Sequence, residues 1–485
     1  MTRRSESLER GGGGGGEGEN KPTKAEFLVS FLVDARGGSM TGSRSTGLRI
    51  AIPPRAAEQP VRVTCRQLRV ESVLHPPPLS DGEGLATRIL QLTPASFLSP
   101  VLVEINHSTQ ESAEREVVIL RCDSGKKWSL HTNIKPDNSL NQFLSSSINN
   151  VSINKKLEQK IQIITNSLPQ YFALISRPRH QTFNLGPEGG LATSNLAPGL
   201  QCFFPAKALT KPVCIGISVS AARPSLLSDL SVQGGAVSPV ITIEPRRRKF
   251  HKAVTVTLPI PQPLQIEKTG EDRGRAPIEM SLLLLCSMSD CGSRAVWEDV
   301  TLSTPLTYHQ GTVQFNTVVS AAFWLVNLPT WMVTDSISML DKLFRSLSRV
   351  PYLARISVYW REEDAHFSED RTDGADAELR VLVSTHGERV NDNCLESQEG
   401  FKLITTSSDL IIREKSELEL KIKGNLGRVS QSGRILFKPF RENRCTVGVK
   451  KIQNTAPAAA TLEVGTEEDI LFSTNILIQI KKTSC

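Results

Sequence analysis

The chain has 485 residues, room for about three domains of ordinary size. Apolar residues make up 39% and aromatics 5%, which excludes a mostly disordered protein and points to aliphatic cores. With 57 basic against 50 acidic residues the net charge is +7. That is too mild and too mixed for a dedicated nucleic-acid binder, yet compatible with an acidic protein partner if the basic residues cluster.

Residues 1–25 are a polar, glycine-rich stretch, expected to be disordered. The run GGGGGGEGEN formally contains G-x-G-x-x-G, but no strand leads into it and no helix follows, so it is not read as a phosphate cradle. From Phe27 onward, apolar and polar residues alternate between Gly and Pro punctuation, the pattern of β-strands. In residues 47–54, Leu48, Ile50 and Ile52 share one face. In residues 60–66, Val61, Val63 and Cys65 point one way, and Arg62, Thr64 and Arg66 the other. Further strands are predicted at 101–105, 116–121, 161–165 and 171–176. So many short strands argue a sandwich or barrel.

A second block opens at about residue 179, with strands at 201–204, 213–219, 240–244 and 253–258. The basic run Arg246 to Lys249 falls between the last two and reads as a β-turn rather than a nuclear-localisation patch. Residues 266–278 form a charged loop, and strands at 282–286, 297–300, 313–315 and 323–326 close the block. The apolar stretch 321–333 is broken by Asn327, Pro329 and Thr330, too short to cross a bilayer. A third block starts with an amphipathic helix over 335–350, where Ile337, Leu340, Leu343, Phe344 and Leu347 form one stripe and Asp335 can cap the N-terminus. Strands resume at 354–360, 379–384, 418–422, 434–437 and 475–480. The fold class is thus all-β dominated: three β-sandwich-like domains at 26–178, 179–332 and 333–485, with a few short helices.

No chemistry-bearing constellation stands out. The nine cysteines are scattered with no C-x-x-C pair, as expected of reduced core thiols in a cytosolic protein. The eight histidines show no metal-ligand spacing, and there is no nucleophile elbow, Walker A or kinase signature. The expectation is a protein that is not an enzyme, with no cofactor and no metal.

Charge offers more. Residues 26–70 hold seven arginines (36, 44, 49, 55, 62, 66, 69) against three acids. Such a strip is either an ordinary solvated sheet face or a surface that steers an acidic partner, since guanidinium suits bidentate pairing with carboxylates. Residues 361–380 are the converse, eight acids against three arginines. They form a surface loop or an internal contact for the basic face.

Specific runs decide between these readings. FLVSFLVDARGGSMTGSRSTGLRIAIPPR (27–55), GEGLATR (82–88) and PQYFALISR (169–177) resemble the first ZU domain of ankyrins. GPEGGLATS (186–194), SPVITIEPRRRKFHK (238–252), WEDVTLSTPLTY (297–308) and FWLV (323–326) resemble the second. VPYLARISV (350–358), LESQEGF (395–401), GNL (424–426) and FRENR (440–444) resemble the UPA domain that follows. Residues 131–160 and 445–475 match weakly, and nothing resembles ankyrin repeats or a death domain.

The resemblance implies a ZU–ZU–UPA tandem packed as one unit. It implies a cytoplasmic adaptor at the inner face of the plasma membrane, which binds the triple-helical repeats of β-spectrin through its first ZU domain. Such an adaptor ties membrane proteins to the spectrin–actin skeleton. The family's Asp-Ala-Arg binding element stands here as Asp34, Ala35 and Arg36, and the neighbouring arginines Arg44, Arg49, Arg55, Arg62 and Arg66 become candidates for the same surface. Some ZU–UPA relatives cleave themselves at His-Phe-Ser; the corresponding residues 319–323 (Val-Ser-Ala-Ala-Phe) have neither the His nor the Ser nucleophile of that motif, so self-cleavage is not expected. The competing expectation is a ZU–UPA signalling scaffold acting as an inhibitory clamp, without spectrin binding.

Overall fold

The computed structural model describes residues 26–478, apart from 43–46, 111, 149–158, 222–226, 229, 231, 233, 264–278, 291, 335, 363–374, 376, 388–395, 397, 430–432, 454–456 and 468. The glycine-rich stretch, most of the acidic stretch and the helix cap expected of Asp335 therefore lie outside the described residues.

The described chain is built from β-sheets in three facing pairs. In the first pair the strands are β1 (Glu26–Val33), β2 (Gly38–Thr41), β3 (Arg49–Ile52), β4 (Val61–Leu68), β5 (Gly84–Leu85), β6 (Ile89–Leu92), β7 (Ala95–Asn106), β8 (Arg115–Cys122), β9 (Ser129–Leu130), β10 (Lys160–Leu168) and β11 (Tyr171–Pro178). One sheet runs β1-β4-β6-β11-β8-β9, with β5 added on β11, and the other runs β10-β7-β3-β2. Every pairing is antiparallel. The alternating residues Leu48, Ile50 and Ile52 from one sheet meet Val63, Cys65 and Phe172 from the other in a common aliphatic core. Burial of that apolar surface is the main force holding the two sheets together.

The second pair repeats the plan around Ile215, Ile217, Ile241, Val256, Phe315 and Leu325. The third pair closes on Tyr352, Ile356, Val381, Phe437 and Val447. The basic run forms the tight connection between strands Val240–Glu244 and Lys249–Pro259. There Arg246 pairs with Glu244 at 3.0 Å, and the hydroxyl of Ser320 accepts the Arg248 N–H at 2.8 Å. Cys65, Cys122, Cys202 and Cys286 are buried free thiols; burial pushes Cys65 and Cys202 up to about 12.

Among the described residues, two long helices pack on the sheets. Asn138–Ile148, in the weakly matching segment 131–160, lays Leu140 on Ala51 and Leu102 at the outer face of the second sheet. Its N-terminus is capped by Asp137, whose carboxylate accepts the Leu140 N–H at 2.8 Å. The helix expected at the head of the third block spans Ser336–Leu347, and it packs against the second sandwich. Leu340 and Phe344 sit there with Trp297, Trp324 and Leu328. No described helix is long and apolar enough to cross a membrane.

The three sandwiches touch. Asp81 of the first accepts the Ala295 N–H of the second at 2.5 Å. The Ser108 carbonyl of the first accepts the Leu353 N–H of the third at 2.7 Å, and Arg441 pairs with Glu71 across the same boundary. A cavity of about 580 Å³ opens where the three meet, lined by Asp81, Arg115, Arg177, Glu244, Phe344 and Arg413 among others. Close approach of the first and third sandwiches depends on Gly84. A Cβ there would stand 2.4 Å from the hydroxyl of Tyr352, whose ring is 1% exposed and has nowhere to move. Gly84→Ala is expected to cost about 1–3 kcal/mol by overpacking. Amide exchange at Leu353, whose N–H bonds the Ser108 carbonyl across this contact, should then be faster than in the wild-type protein.

Candidate partner-binding site

The Asp-Ala-Arg element lies in the turn that carries the chain from β1 to β2. Asp34 Oδ1 accepts the Arg36 backbone N–H at 2.9 Å, and the Asp34 carbonyl accepts the Gly37 N–H at 3.0 Å. Gly37 has φ +71°, and a Cβ on it would stand 2.5 Å from the Ile52 carbonyl oxygen, so the turn is pressed against the backbone of residues 52–54. The Ala35 carbonyl accepts the Arg55 N–H at 2.8 Å, which ties a second arginine to the same corner.

The Arg36 guanidinium grips Asp34 through Nε at 3.0 Å and Nη2 at 2.7 Å to Oδ2. These hydrogen bonds hold the Asp34 carboxyl below its usual value and raise Arg36. The Arg36 side chain is 90% exposed, so the pair contributes little to stability. What it does is fix the orientation of a solvent-facing guanidinium before any partner arrives. Among the described residues, Nη1 of Arg36 has no acceptor.

The other arginines divide by face. In β4, Val63 and Cys65 fill the core, which sends Arg62 and Arg66 to the outer surface of the first sheet. Arg62 stands opposite Leu32 and Arg66 opposite Phe27, and these apolar neighbours are 63% and 47% exposed. Arg62 Nη1 reaches the Ser30 hydroxyl at 3.5 Å. Leu32 pairs with Arg62 one residue before β1 ends, so Arg62 flanks the Asp34–Arg36 turn. Arg66 lies four residues further along, ~13 Å at strand spacing.

Arg49 departs from the single basic face expected of the sequence. Ile50 and Ile52 enter the same core as Val63, which turns Arg49 to the outer surface of the opposite sheet. There it donates to Ser39 Oγ at 3.2 Å and pairs with Glu104 at 3.6 Å. Arg44 lies outside the described residues. The structure thus gathers Asp34, Ala35, Arg36, Arg55 and Arg62 at one corner, continues through Arg66, and separates Arg49.

Phe27 and Leu32 were missed as surface residues in the sequence. The signal was there: in EFLVSFLV apolar residues occupy both parities, more than one buried face can take up. Exposed apolar groups beside guanidinium groups make a surface able to bury aliphatic stems while pairing with carboxylates. Among the described residues no group of His, Cys, Asp and Glu could hold a metal.

The comparisons with known proteins agree with this architecture. Residues 29–123 match the ZU5 domain model, and residues 350–469 match the UPA domain model. The chain is 37% identical to rat ankyrin-3 over 440 residues, covering 89% of this chain and 16% of the relative. It is also 37% identical to mouse ankyrin-1 over 437 residues, 88% of this chain and 23% of the relative. A more distant match, 25% over 303 residues, is the mouse p53-induced death domain-containing protein 1, covering 61% of this chain and 30% of that protein. The chain spans under a quarter of the length of either ankyrin. Its residues 29–123 thus match a ZU5 domain and its residues 350–469 a UPA domain, and nearly nine-tenths of the chain aligns with one segment of the ankyrins.

Proposed function

We propose that this chain is a non-enzymatic cytoskeletal adaptor whose first sandwich binds the triple-helical repeats of β-spectrin. In this reading the sandwiches act as domains at 26–178, 179–332 and 333–485, and the adaptor links membrane-associated proteins to the spectrin–actin skeleton under the plasma membrane. The observation that carries the proposal is the Asp34–Arg36 turn. It stands where the resemblance to ankyrins puts the binding element, and it presents a pre-oriented, exposed guanidinium. Arg55, Arg62 and Arg66 extend the positive surface, and Phe27 and Leu32 supply its apolar part. A spectrin repeat presenting acidic residues on a helix face would complement it.

Titration of purified β-spectrin repeats against the chain tests this. Binding is expected to weaken about tenfold as salt rises from ~0.05 to ~0.5 M, because exposed ion pairs are screened. An affinity indifferent to salt would contradict the arginine surface.

The match to the p53-induced death domain-containing protein, with the contacts between first and third sandwiches, favours a second reading: an inhibitory clamp. Under that reading the repeats would not bind at any salt concentration, and a death domain added in trans would.

A further inference from the structure

The last described strand, Ile470–Ile478, lies at the rim of the four-stranded sheet of the third sandwich. Its inner edge pairs with Ala458–Gly465, with a bulge at Leu471 between the Phe472–Val464 and Ile470–Gly465 pairs. Among the described residues, no other strand or loop hydrogen-bonds to its outer edge. The strand is unusual among the rims of this protein. The equally long rim strand β10 is covered, since Asn133 bonds to both Gln162 and Ile164 and the Ile134 N–H to the Ile164 carbonyl. The opposite rim of the same sheet, Arg434–Leu436, is only three residues long and begins with a charge. By contrast ILFSTNILI has nine residues and contains no charge, no proline and no glycine. Of the devices that ordinarily keep a strand edge from pairing with another chain, it has the bulge at Leu471 and lacks charge, proline and short length.

The sequence of this strand also reads nearly the same in both directions about Thr474. An antiparallel pairing of two copies centred there sets Ile470 opposite Ile478, Leu471 opposite Leu477, Phe472 opposite Ile476 and Ser473 opposite Asn475. The partners match in kind at every step. From Phe472 to Ile476 they also match in face, because antiparallel neighbours project to the same side of a sheet; the bulge at Leu471 ends that match. Ile476 and Phe472, which pack on the core of the third sandwich, would continue that core across the two-fold axis. Leu477, 67% exposed, lies on the outer side, whereas Leu471 at the bulge packs on the core. Self-complementarity of this kind is what a two-fold interface requires and what a pairing with an unrelated strand does not.

We infer that Ile470–Ile478 is a homodimerisation edge, through which two copies join their third sandwiches into one continuous eight-stranded sheet. The face-matched part of the ladder, Phe472 to Ile476, would run ~17 Å and leave both Asp34–Arg36 corners, on the first sandwiches, outside the interface. An adaptor joined this way would hold two partner-binding surfaces at once, and so gain avidity for a repetitive partner.

Sedimentation velocity of the whole chain over a series of concentrations tests the inference, with two paired variants. Ser473 and Asn475 are both exposed, so both can be changed without disturbing the core. The wild-type chain should shift from monomer to dimer as concentration rises. Ser473→Lys with Asn475→Lys places like charges opposite each other at both ends of the axis, and should weaken the dimer by roughly tenfold or more. Ser473→Lys with Asn475→Glu places opposite charges there and should restore it. A wild-type chain that stays monomeric at every concentration would overturn the inference, and so would a dimer unaffected by the two-lysine variant. Spectrin binding is read separately, so failure of one leaves the other standing.

Discussion

Replacing Glu396 with alanine is expected to destabilise the third sandwich by about 2–3 kcal/mol, because the buried Arg380 guanidinium then keeps only the part-exposed Glu399 as a carboxylate partner. Glu396 is 1% exposed and pairs with Arg380, itself 9% exposed. Arg380 also pairs with Glu399 at 2.5 Å and donates to the Thr446 hydroxyl at 2.8 Å. Its guanidinium lies 3.9 Å from the centre of the Phe401 ring, and that of Arg361 lies 4.6 Å from the same centre. Arg380 holds the Glu399 carboxyl below its ordinary range. This cluster pins the segment around 396–401 to the sheet, and Glu396 is its deepest carboxylate. In urea, Glu396→Ala should lower the unfolding midpoint strongly. Glu396→Gln keeps a hydrogen-bond acceptor but loses the charge, and should fall between the two. Changing both partners, Arg380→Met with Glu396→Leu, should recover most of the loss, since no charge is then left buried alone. Equal destabilisation by single and double variants would contradict this account.

The second large effect is expected at Phe344. Its ring meets Trp297 edge-on at 5.0 Å and lies 6.2 Å from Trp324, so the helix Ser336–Leu347 docks on the second sandwich chiefly through this contact and Leu340. Phe344→Ala removes the ring and leaves a cavity against two tryptophans, costing about 3 kcal/mol or more. Tryptophan emission should shift to the red as water reaches Trp297. The helix leads directly into the strand Pro351–Glu362, so loosening it should also loosen the third sandwich from the second, seen as faster amide exchange over 336–347. An unchanged emission spectrum would mean that the helix is held by something other than this aromatic contact.

The strands were the most legible part of the sequence. Period-two alternation at Leu48, Ile50 and Ile52, and at Val61, Val63 and Cys65, identified strands whose Ile50, Ile52, Val63 and Cys65 are fully buried. Alternation works because an antiparallel strand with one solvated face must segregate its side chains. It does not say which sheet a strand joins. Arg49 and Arg62 therefore read as neighbours on one face, although they end on opposite surfaces of the sandwich. Helix Asn138–Ile148 was hidden by its composition: NSLNQFLSSSI is rich in Ser and Asn, which favour turns as readily as helix. The Leu140, Phe143, Leu144 spacing after Asp137 was the available signal. The helix Ser336–Leu347 was legible as an element because its apolar stripe is strong, but its partner was not. Nothing local tells a stripe that its groove is built from Trp297 and Trp324.

At the site itself, the resemblance located the Asp34–Arg36 turn, whereas composition could only mark a region rich in arginine. The structure adds the reason a turn of this shape can serve. Gly37 lets it press on residues 52–54, and the carboxylate of Asp34 sets the direction of Arg36.

The most direct test of the adaptor reading is the affinity of β-spectrin repeats for the wild-type chain and for Arg36→Ala. Arg36 is almost fully exposed, so the variant should keep the wild-type urea midpoint. Its binding should weaken by about 2 kcal/mol or more, roughly 30-fold, if the guanidinium is an anchor of the interface. Wild-type affinity in a folded Arg36→Ala variant would contradict the assignment of this turn as the binding site.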